Sequence, residues 1–129
     1  MAKNDILETL LQRAEQREEE KVKLINLKSK ALGEVTVQVP PLKKILDLID
    51  SGQDAESAYE GTEANAEIVY ESVPFLKDNF KALSDAYDEK DPAVLTIKIF
   101  DAADAIGEVA DIAEKVMDAR GIYAKTVKN

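Results

Sequence analysis

Three residue types that often carry chemistry are missing from this chain of 129 residues: it has no cysteine, no histidine and no tryptophan. Without thiolate or imidazole ligands, ordinary zinc, haem, blue-copper and iron–sulfur sites are excluded. Ser-His-Asp and Cys-His catalysis is excluded as well, together with any histidine proton shuttle. An enzyme would have to work with carboxylates, Lys and Tyr alone, so we expect a protein that is not an enzyme and has no cofactor.

Long apolar runs are missing too. No run approaches the ~20 residues of a membrane-spanning helix, and the N-terminus, Met1 to Asp5, leads into a charged segment that is unlike a signal peptide. The lack of cysteine fits a reducing compartment. We therefore expect a soluble cytoplasmic protein without a membrane partner, folded as a single domain over residues 1–129.

The charge is acidic and unevenly distributed. The chain has 17 Lys and Arg against 26 Asp and Glu, a formal net charge of −9. Residues 1–50 are balanced and residues 51–129 carry the whole excess, whereas residues 21–44 hold six Lys and one acidic residue, Glu34. A negative chain disfavours binding to nucleic acid phosphates. The lysine-rich segment fits charge-complementary association with another protein, and it fits equally well a strand surface that lysines keep solvated.

A change from helical to alternating periodicity predicts a β-hairpin at about residues 22–39. The second strand, at 34–39, has β-branched residues in strict alternation: Val35, Val37 and Val39. Residues 22–28 predict the partner strand, whose alternation begins with Val22 and Leu24 and loses its phase at Ile25 and Leu27. Because a lone hairpin is marginal in water, we expect helices to cover its apolar face.

The first predicted helix, at about residues 5–20, begins with a capping-box-like pair, Asp5 and Glu8. It carries one apolar stripe: Ile6, Leu7, Leu10, Leu11 and Ala14. The other helices are expected at about residues 41–50, 54–73, 79–87, 92–100 and 104–120. The sequence therefore predicts a mainly α (α+β) protein, a helical bundle with one small N-terminal β-hairpin.

Several residues are typical of helix ends. Pro41 is expected as the first residue of its helix, and Pro74 is expected to close the helix at 54–73. Asp78 is expected to cap the next helix, and Asp91 followed by Pro92 is typical of an N-cap with a first-turn proline. Gly121 is typical of the residue that follows a helix.

The best candidate for an acidic site lies on one side of the last predicted helix or its entrance: Asp101, Asp104, Glu108 and Asp111. A hard cation needs six or more converging oxygen ligands, whereas carboxylates along one helix face diverge into water. Their spacing also differs from that of a calcium-binding loop. The cluster therefore indicates a solvated face and no metal site. A pair of carboxylates from distant parts of the chain, as in hydrolases, remains an alternative.

From about Val69 to Ile122 the order of short motifs resembles a known family. The motifs are Ile68-Val69-Tyr70-Glu71-Ser72-Val73-Pro74, then Leu76-Lys77-Asp78, a helix to Tyr87, Asp91-Pro92, a helix to Phe100, Ile106-Gly107-Glu108, and Arg120-Gly121-Ile122. This order resembles the tail assembly chaperones of long-tailed bacteriophages and prophage-like elements, the XkdN-like group. The predicted hairpin stands where that family has a short β unit before its helices.

The resemblance implies a chaperone. Proteins of this family coat the long helical tape-measure protein and keep it soluble until the tail tube polymerises around it. The tape-measure protein is then the expected partner, with the tail tube protein as a further candidate and a homo-oligomer as the expected state. The resemblance also implies the cytoplasm of the bacterial host and absence from the mature virion. The candidate contact residues are Leu10 and Leu11 on the first helix and Lys21, Lys23, Lys28 and Lys30 on the hairpin.

A function from another class stays open. An acidic phage-encoded inhibitor could mimic DNA and block a host nucleic-acid enzyme. The net charge of −9 and the acidic run in residues 51–71 favour this alternative. The acids do not form a phosphate-like double row, however, and the lysines in residues 21–44 weaken the mimicry.

Overall fold

The computed structural model describes residues 2–19 and 23–122. In chain order its elements are α1 (Ala2–Glu19), β1 (Lys23–Ser29), β2 (Gly33–Val39), α2 (Leu42–Ser51), α3 (Ala58–Ser72), α4 (Pro74–Asp78), α5 (Phe80–Tyr87), α6 (Pro92–Ala102) and α7 (Gly107–Ala119). The protein is 66% helical and has a two-stranded antiparallel hairpin near its N-terminus, which confirms the mainly α class. Lys21, one of the candidate contact residues, lies outside the described residues.

The two strands of the hairpin pair with each other over their whole length. Lys23 lies opposite Val39, and Ser29 lies opposite Gly33. The three residues of β2 that were expected to face inwards are buried: Val35, Val37 and Val39. Gly33 follows the turn with φ +77°, a left-handed conformation that favours glycine.

The pairing with β2 sets the phase of β1, which the sequence pattern left open. Ile25 and Leu27 are half-buried and pack against the core. Leu24 lies on the other face, where it is 63% exposed. Asn26 and Lys28 are exposed on the same outer face of the hairpin.

The helix α3 lies at the centre of the core. It packs against α6 and α7 and also contacts α2, α4 and β2. The buried apolar residues of β2, α2, α3, α4, α6 and α7 form one contiguous cluster. The two buried hydroxyl groups of α3 and α6 are satisfied within their own helices, since Ser72 Oγ donates to the Ile68 carbonyl at 2.6 Å and Thr96 Oγ1 to the Pro92 carbonyl at 2.8 Å. The hairpin therefore rests on the helical core through β2.

The helices α1 and α3 begin at other residues than expected. α1 begins at Ala2, so Asp5 lies inside the helix and the predicted capping box is wrong. α3 begins at Ala58, four residues later than predicted. Its N-cap is Ser57, whose side chain accepts a hydrogen bond from the Glu60 amide and so fixes the helix start.

An additional short helix follows α3. Pro74 was expected only to end a helix, but α3 already ends at Ser72 and Pro74 is the first residue of α4. Proline suits this position because the first helical amide has no intrahelical acceptor. Asp78 ends α4 instead of capping the next helix, and Asn79 stands between α4 and α5, with its side-chain amide donating to the Phe75 carbonyl at 2.8 Å.

The caps of α2 and α6 follow the sequence closely. Pro41 is the N-cap of α2, one residue before the predicted position. Asp91 caps α6 as predicted, because its carboxylate accepts from the amides of Ala93 at 2.9 Å and Val94 at 3.1 Å. α6 then continues to Ala102, two residues beyond the predicted end.

The last helix starts later than predicted and ends as predicted. Asp104 has φ +54° and cannot belong to a right-handed helix, so α7 starts at Gly107 instead of residue 104. At the other end Gly121 has φ +76°, its amide donates to the Asp118 carbonyl, and the next amide, of Ile122, donates to the Met117 carbonyl. This pair of bonds is a Schellman motif.

The helices α2 and α3 approach closely at Gly52, the C-cap of α2. A Cβ atom built on Gly52 would lie 2.6 Å from the Cβ of Ala64. That separation is well inside van der Waals contact. Glycine is therefore required here by space, whereas Gly61 inside α3 has nothing within 4 Å of such an atom.

We expect Gly52→Ala to lower the free energy of unfolding by about 1–3 kcal/mol, the usual cost of overpacking. Gly61→Ala is the matched control, and it should raise the free energy by about 0.5–1 kcal/mol because alanine favours a helix interior over glycine. Urea unfolding followed by circular dichroism measures both. Equal effects of the two substitutions would contradict the close approach of α2 and α3.

Candidate functional site

The first helix presents an apolar face that the protein's own core does not cover. Every side chain described in α1, from residue 5 to residue 16, is exposed. Four of them, Ile6, Leu7, Leu10 and Leu11, are large and apolar and are 53–57% exposed. Their spacing puts them on one face of the helix, and we call this face the α1 stripe. Both leucines chosen from the sequence, Leu10 and Leu11, belong to it.

An uncovered stripe of this kind is unfavourable for an isolated chain. Most helical stability in proteins comes from packing an amphipathic face against something else. Complete burial of one Leu or Ile side chain contributes about 1.5–3 kcal/mol. A second apolar helix laid along the α1 stripe would therefore be bound favourably and would stabilise α1 at the same time.

The outer face of the hairpin is the second exposed surface near the N-terminus. It presents Leu24, Asn26 and Lys28 of β1. Thr36 Oγ1 of β2 donates to Asn26 Oδ1 at 3.1 Å, and Lys28 lies opposite Glu34. This face is thus polar with one exposed leucine, in contrast to the apolar inner face.

The candidate lysines have different roles in the structure. Lys23 Nζ donates to the Ala119 carbonyl at 2.9 Å and so caps the C-terminal end of α7. Lys28 and Lys30 are exposed, and within the described residues neither ammonium group has a hydrogen-bond or ion-pair partner. The charge of Lys23 is therefore used inside the molecule and that of Lys30 acts on the Glu108 carboxylate, whereas that of Lys28 is available to a partner.

Glu108 fastens the hairpin turn to the N-terminal end of α7. Its carboxylate accepts from Ser29 Oγ at 2.8 Å, from the Lys30 amide at 2.8 Å and from the Ala31 amide at 3.3 Å. Ser29 Oγ in turn accepts from the Leu32 amide at 3.0 Å. One carboxylate thus satisfies several polar groups of a partly buried turn.

This arrangement lowers the pKa of the Glu108 carboxyl. Burial, the largest single influence, raises the pKa, but it is outweighed by the hydrogen bonds from Lys30, Ser29 and Ala31 together with the charge of Lys30. Glu108 also lies in the first turn of α7, where a negative charge is favourable. The interpretation of Glu108 as part of a solvated acidic face is therefore wrong, while its neighbours Asp101, Asp104 and Asp111 are indeed exposed.

The open end of the hairpin is attached to the other end of α7. The Arg120 guanidinium donates from Nε to the Pro40 carbonyl at 2.9 Å and from Nη2 to the Val39 carbonyl at 3.3 Å. Together with the Lys23 cap, these bonds hold the strand ends beside the C-terminal end of α7. No local pattern in the sequence pointed to these contacts, because the partners are about 80 to 100 residues apart.

The described residues contain no group of three or more Asp and Glu side chains arranged to hold a metal ion. An acidic depression of about 170 Å³ lies between α2 and α3, and its lining includes Asp54, Glu60, Glu63 and Glu67. Within the part of the chain that the structure describes, the pKa values of the Glu89 and Glu108 carboxyl groups are lowered, whereas a general acid needs a raised pKa. Over the same residues no helix is both long enough and apolar enough to cross a membrane.

We expect Glu108→Gln to lower the free energy of unfolding by about 2 kcal/mol at pH 7, since it removes a charged acceptor from three donors. The lowered pKa means that the ionised carboxylate stabilises the fold above the unfolded-state value, near 4.5, and that this contribution disappears as the pH falls through the folded-state pKa. The difference between the two proteins should therefore be constant above pH 5.5 and shrink below pH 4.5. Asp111→Asn, an exposed change on the same helix, is the control, and a difference that stays constant as the pH falls would refute the assignment.

A comparison of the variants Lys23→Met and Lys28→Met tests whether Lys23 stabilises the fold and Lys28 does not. We expect Lys23→Met to lower the free energy of unfolding by about 1 kcal/mol, because the Ala119 carbonyl loses its donor. Lys28→Met should change it by less than about 0.5 kcal/mol. Chemical denaturation of the two variants in parallel makes the comparison, and equal losses would mean that the Lys23 cap contributes nothing to stability.

Comparisons with known proteins find no relative of this chain. No family model matches the sequence, and no curated protein does so. No solved structure matches it either. Any function of the α1 stripe and of the hairpin is therefore a matter of proposal.

Proposed function

We propose that this protein is a binding protein that shields an apolar helix of another polypeptide from water. The observation that carries this proposal is the α1 stripe, a row of four large apolar side chains, each more than half exposed, on a helix that lies outside the core. Exposed apolar surface of this kind marks interaction sites in soluble proteins. Its natural occupant is a second amphipathic helix, which lays its own apolar face into the stripe.

More specifically, we propose that the protein is a tail assembly chaperone of a long-tailed bacteriophage or prophage-like element. The resemblance of residues 68–122 to that family supports this assignment. The partner is then the tape-measure protein, a long helical chain with apolar faces, and the tail tube protein is a further partner. The protein acts in the cytoplasm of the bacterial host, as a homo-oligomer, and is absent from the mature virion.

The charge of the chain supports the same proposal. Many copies bound along one long polypeptide would each bring a net charge of −9, so that the coated polypeptides repel one another and stay dispersed. Weak contacts that repeat along one partner give high avidity, and each contact remains individually displaceable. Both properties suit a chaperone that tube subunits must later replace.

The test is co-expression with a tape-measure protein. We expect the wild-type chain to move the tape-measure protein from the insoluble pellet to the supernatant. A stripe variant, Leu7→Ser/Leu10→Ser/Leu11→Ser, should reduce the soluble fraction at least about fivefold, because it removes most of the apolar contact area. Lys28→Glu should reduce it by a smaller factor through the loss of charge complementarity. Lys30 is left unchanged because its positive charge favours the ionised Glu108 carboxylate that holds the hairpin turn.

The matched control is Gln12→Ser/Gln16→Ser, which changes exposed residues of α1 outside the stripe. It should leave the soluble fraction unchanged. An unchanged pellet with the wild-type chain would contradict the chaperone proposal. Salt-sensitive capture of a basic DNA-binding enzyme from the host lysate, in place of the tape-measure protein, would favour the DNA-mimic alternative.

A further inference from the structure

The two flanks of the α1 stripe carry opposite charges. Successive helical residues are rotated by about 100°, so residues seven positions apart lie on nearly the same side. Glu8 and Glu15 therefore share the flank next to Leu11, whereas Arg13 lies on the other flank, next to Ile6. All three charged side chains are exposed, and within the described residues none of them has an ion-pair partner.

We propose that the α1 stripe binds the α1 stripe of a second copy of this chain, with the two helices parallel. A two-fold axis along a parallel pair brings the acidic flank of one helix beside the basic flank of the other, on both sides of the interface. In an antiparallel pair the axis instead places acidic flank against acidic flank and basic against basic. Opposite charges beside an apolar seam select partner orientation in paired helices, so the charge pattern of α1 selects the parallel pair.

The packing of such a pair is compatible with the residues of the stripe. Ala14 continues the stripe one turn beyond Leu10 and Leu11, and its small side chain allows the helix axes to approach there. The stripe covers only about two to three helical turns, well short of the ~800 Å² per partner of a standard stable interface. The pair is therefore weak and forms in a concentration-dependent way.

This pairing does not rest on the proposed function. If both hold, a second copy covers the α1 stripe until the apolar helix of the partner polypeptide displaces it. The apolar face would then stay out of water in the free protein as well as in the complex.

The first experiment measures self-association of the purified chain alone, by sedimentation equilibrium in 0.15 M salt, where repulsion between the negative domains is screened. We expect a monomer–dimer equilibrium. Leu10→Ser should abolish it. Arg13→Glu should raise the dimer dissociation constant about tenfold, because it replaces attraction with repulsion on both flanks. Gln12→Glu makes the chain more acidic on the far face of α1 and should change the constant less than twofold.

A monomer at all concentrations would overturn the proposal, and so would equal effects of Arg13→Glu and Gln12→Glu. Because α1 lies outside the core, these variants should retain the wild-type unfolding midpoint, which shows that any loss of pairing is not a loss of folding. No partner polypeptide is present in this assay. A negative result in this assay would therefore contradict the pairing and would leave the chaperone proposal to its own test.

The second experiment tests the orientation. The natural chain has no cysteine, so a single introduced cysteine reports only on its own contact with the second copy. In a parallel pair Ala14→Cys brings two thiols together across the seam, and we expect rapid formation of a disulfide-linked dimer under mild oxidation. Gln12→Cys, on the far face, should form it at least about tenfold more slowly. Equal rates would overturn the parallel arrangement.

Discussion

The attachment of the hairpin to both ends of α7 is the constraint on which the N-terminal half of the fold depends. The carboxylate of Glu108 holds the turn at one end of the helix, and the Lys23 and Arg120 side chains hold the strand ends at the other. The lengths match, since a seven-residue strand spans about 20 Å and the helix from residue 108 to residue 119 about 16 Å. A two-stranded sheet, which is marginal alone, thereby becomes part of the helical core.

This attachment also determines which surfaces are left for binding. The inner face of the hairpin is committed to the core through Val35, Val37 and Val39. Its outer face is exposed, and so are the described side chains of the preceding helix α1, so the apolar side chains of α1 are not part of the core. The molecule is thus divided into a packed body and an exposed N-terminal helix. The surface open to a partner lies on the exposed part, while the hydrogen bonds of Glu108 and Lys23 stabilise the body.

Local patterns predicted those features that depend on a few neighbouring residues. The alternating valines identified β2, Asp91 with Pro92 identified the start of α6, and Gly121 identified the end of α7. In each case a short-range steric or hydrogen-bonding rule decides the conformation. The α1 stripe was visible for the same reason, since it is a matter of helical periodicity. That it would remain uncovered was not predictable, because burial depends on the arrangement of the other helices.

The misinterpreted residues depend on contacts that are distant in the chain. From the sequence, Glu108 was interpreted as one member of an acidic row. In the structure its hydrogen-bond partner is the hairpin turn, nearly 80 residues earlier in the chain. Lys23 was expected to contact a partner protein, and the structure adds an acceptor within the chain, the Ala119 carbonyl of α7. The helix α4 was not predicted, because proline both prevents the continuation of one helix and suits the beginning of another, and Pro74 was expected only to end a helix. A single sequence contains no local signal that separates these possibilities.

The position of α1 outside the core has a consequence for how the protein can change. Substitutions in a packed body are restricted, since one methylene group more or less alters stability. The exposed side chains of α1 are free of that restriction, and their replacement alters recognition at little cost to folding. Substitutions in α1 can therefore change which partner the protein binds, in evolution or by design, while the fold of the packed body stays the same.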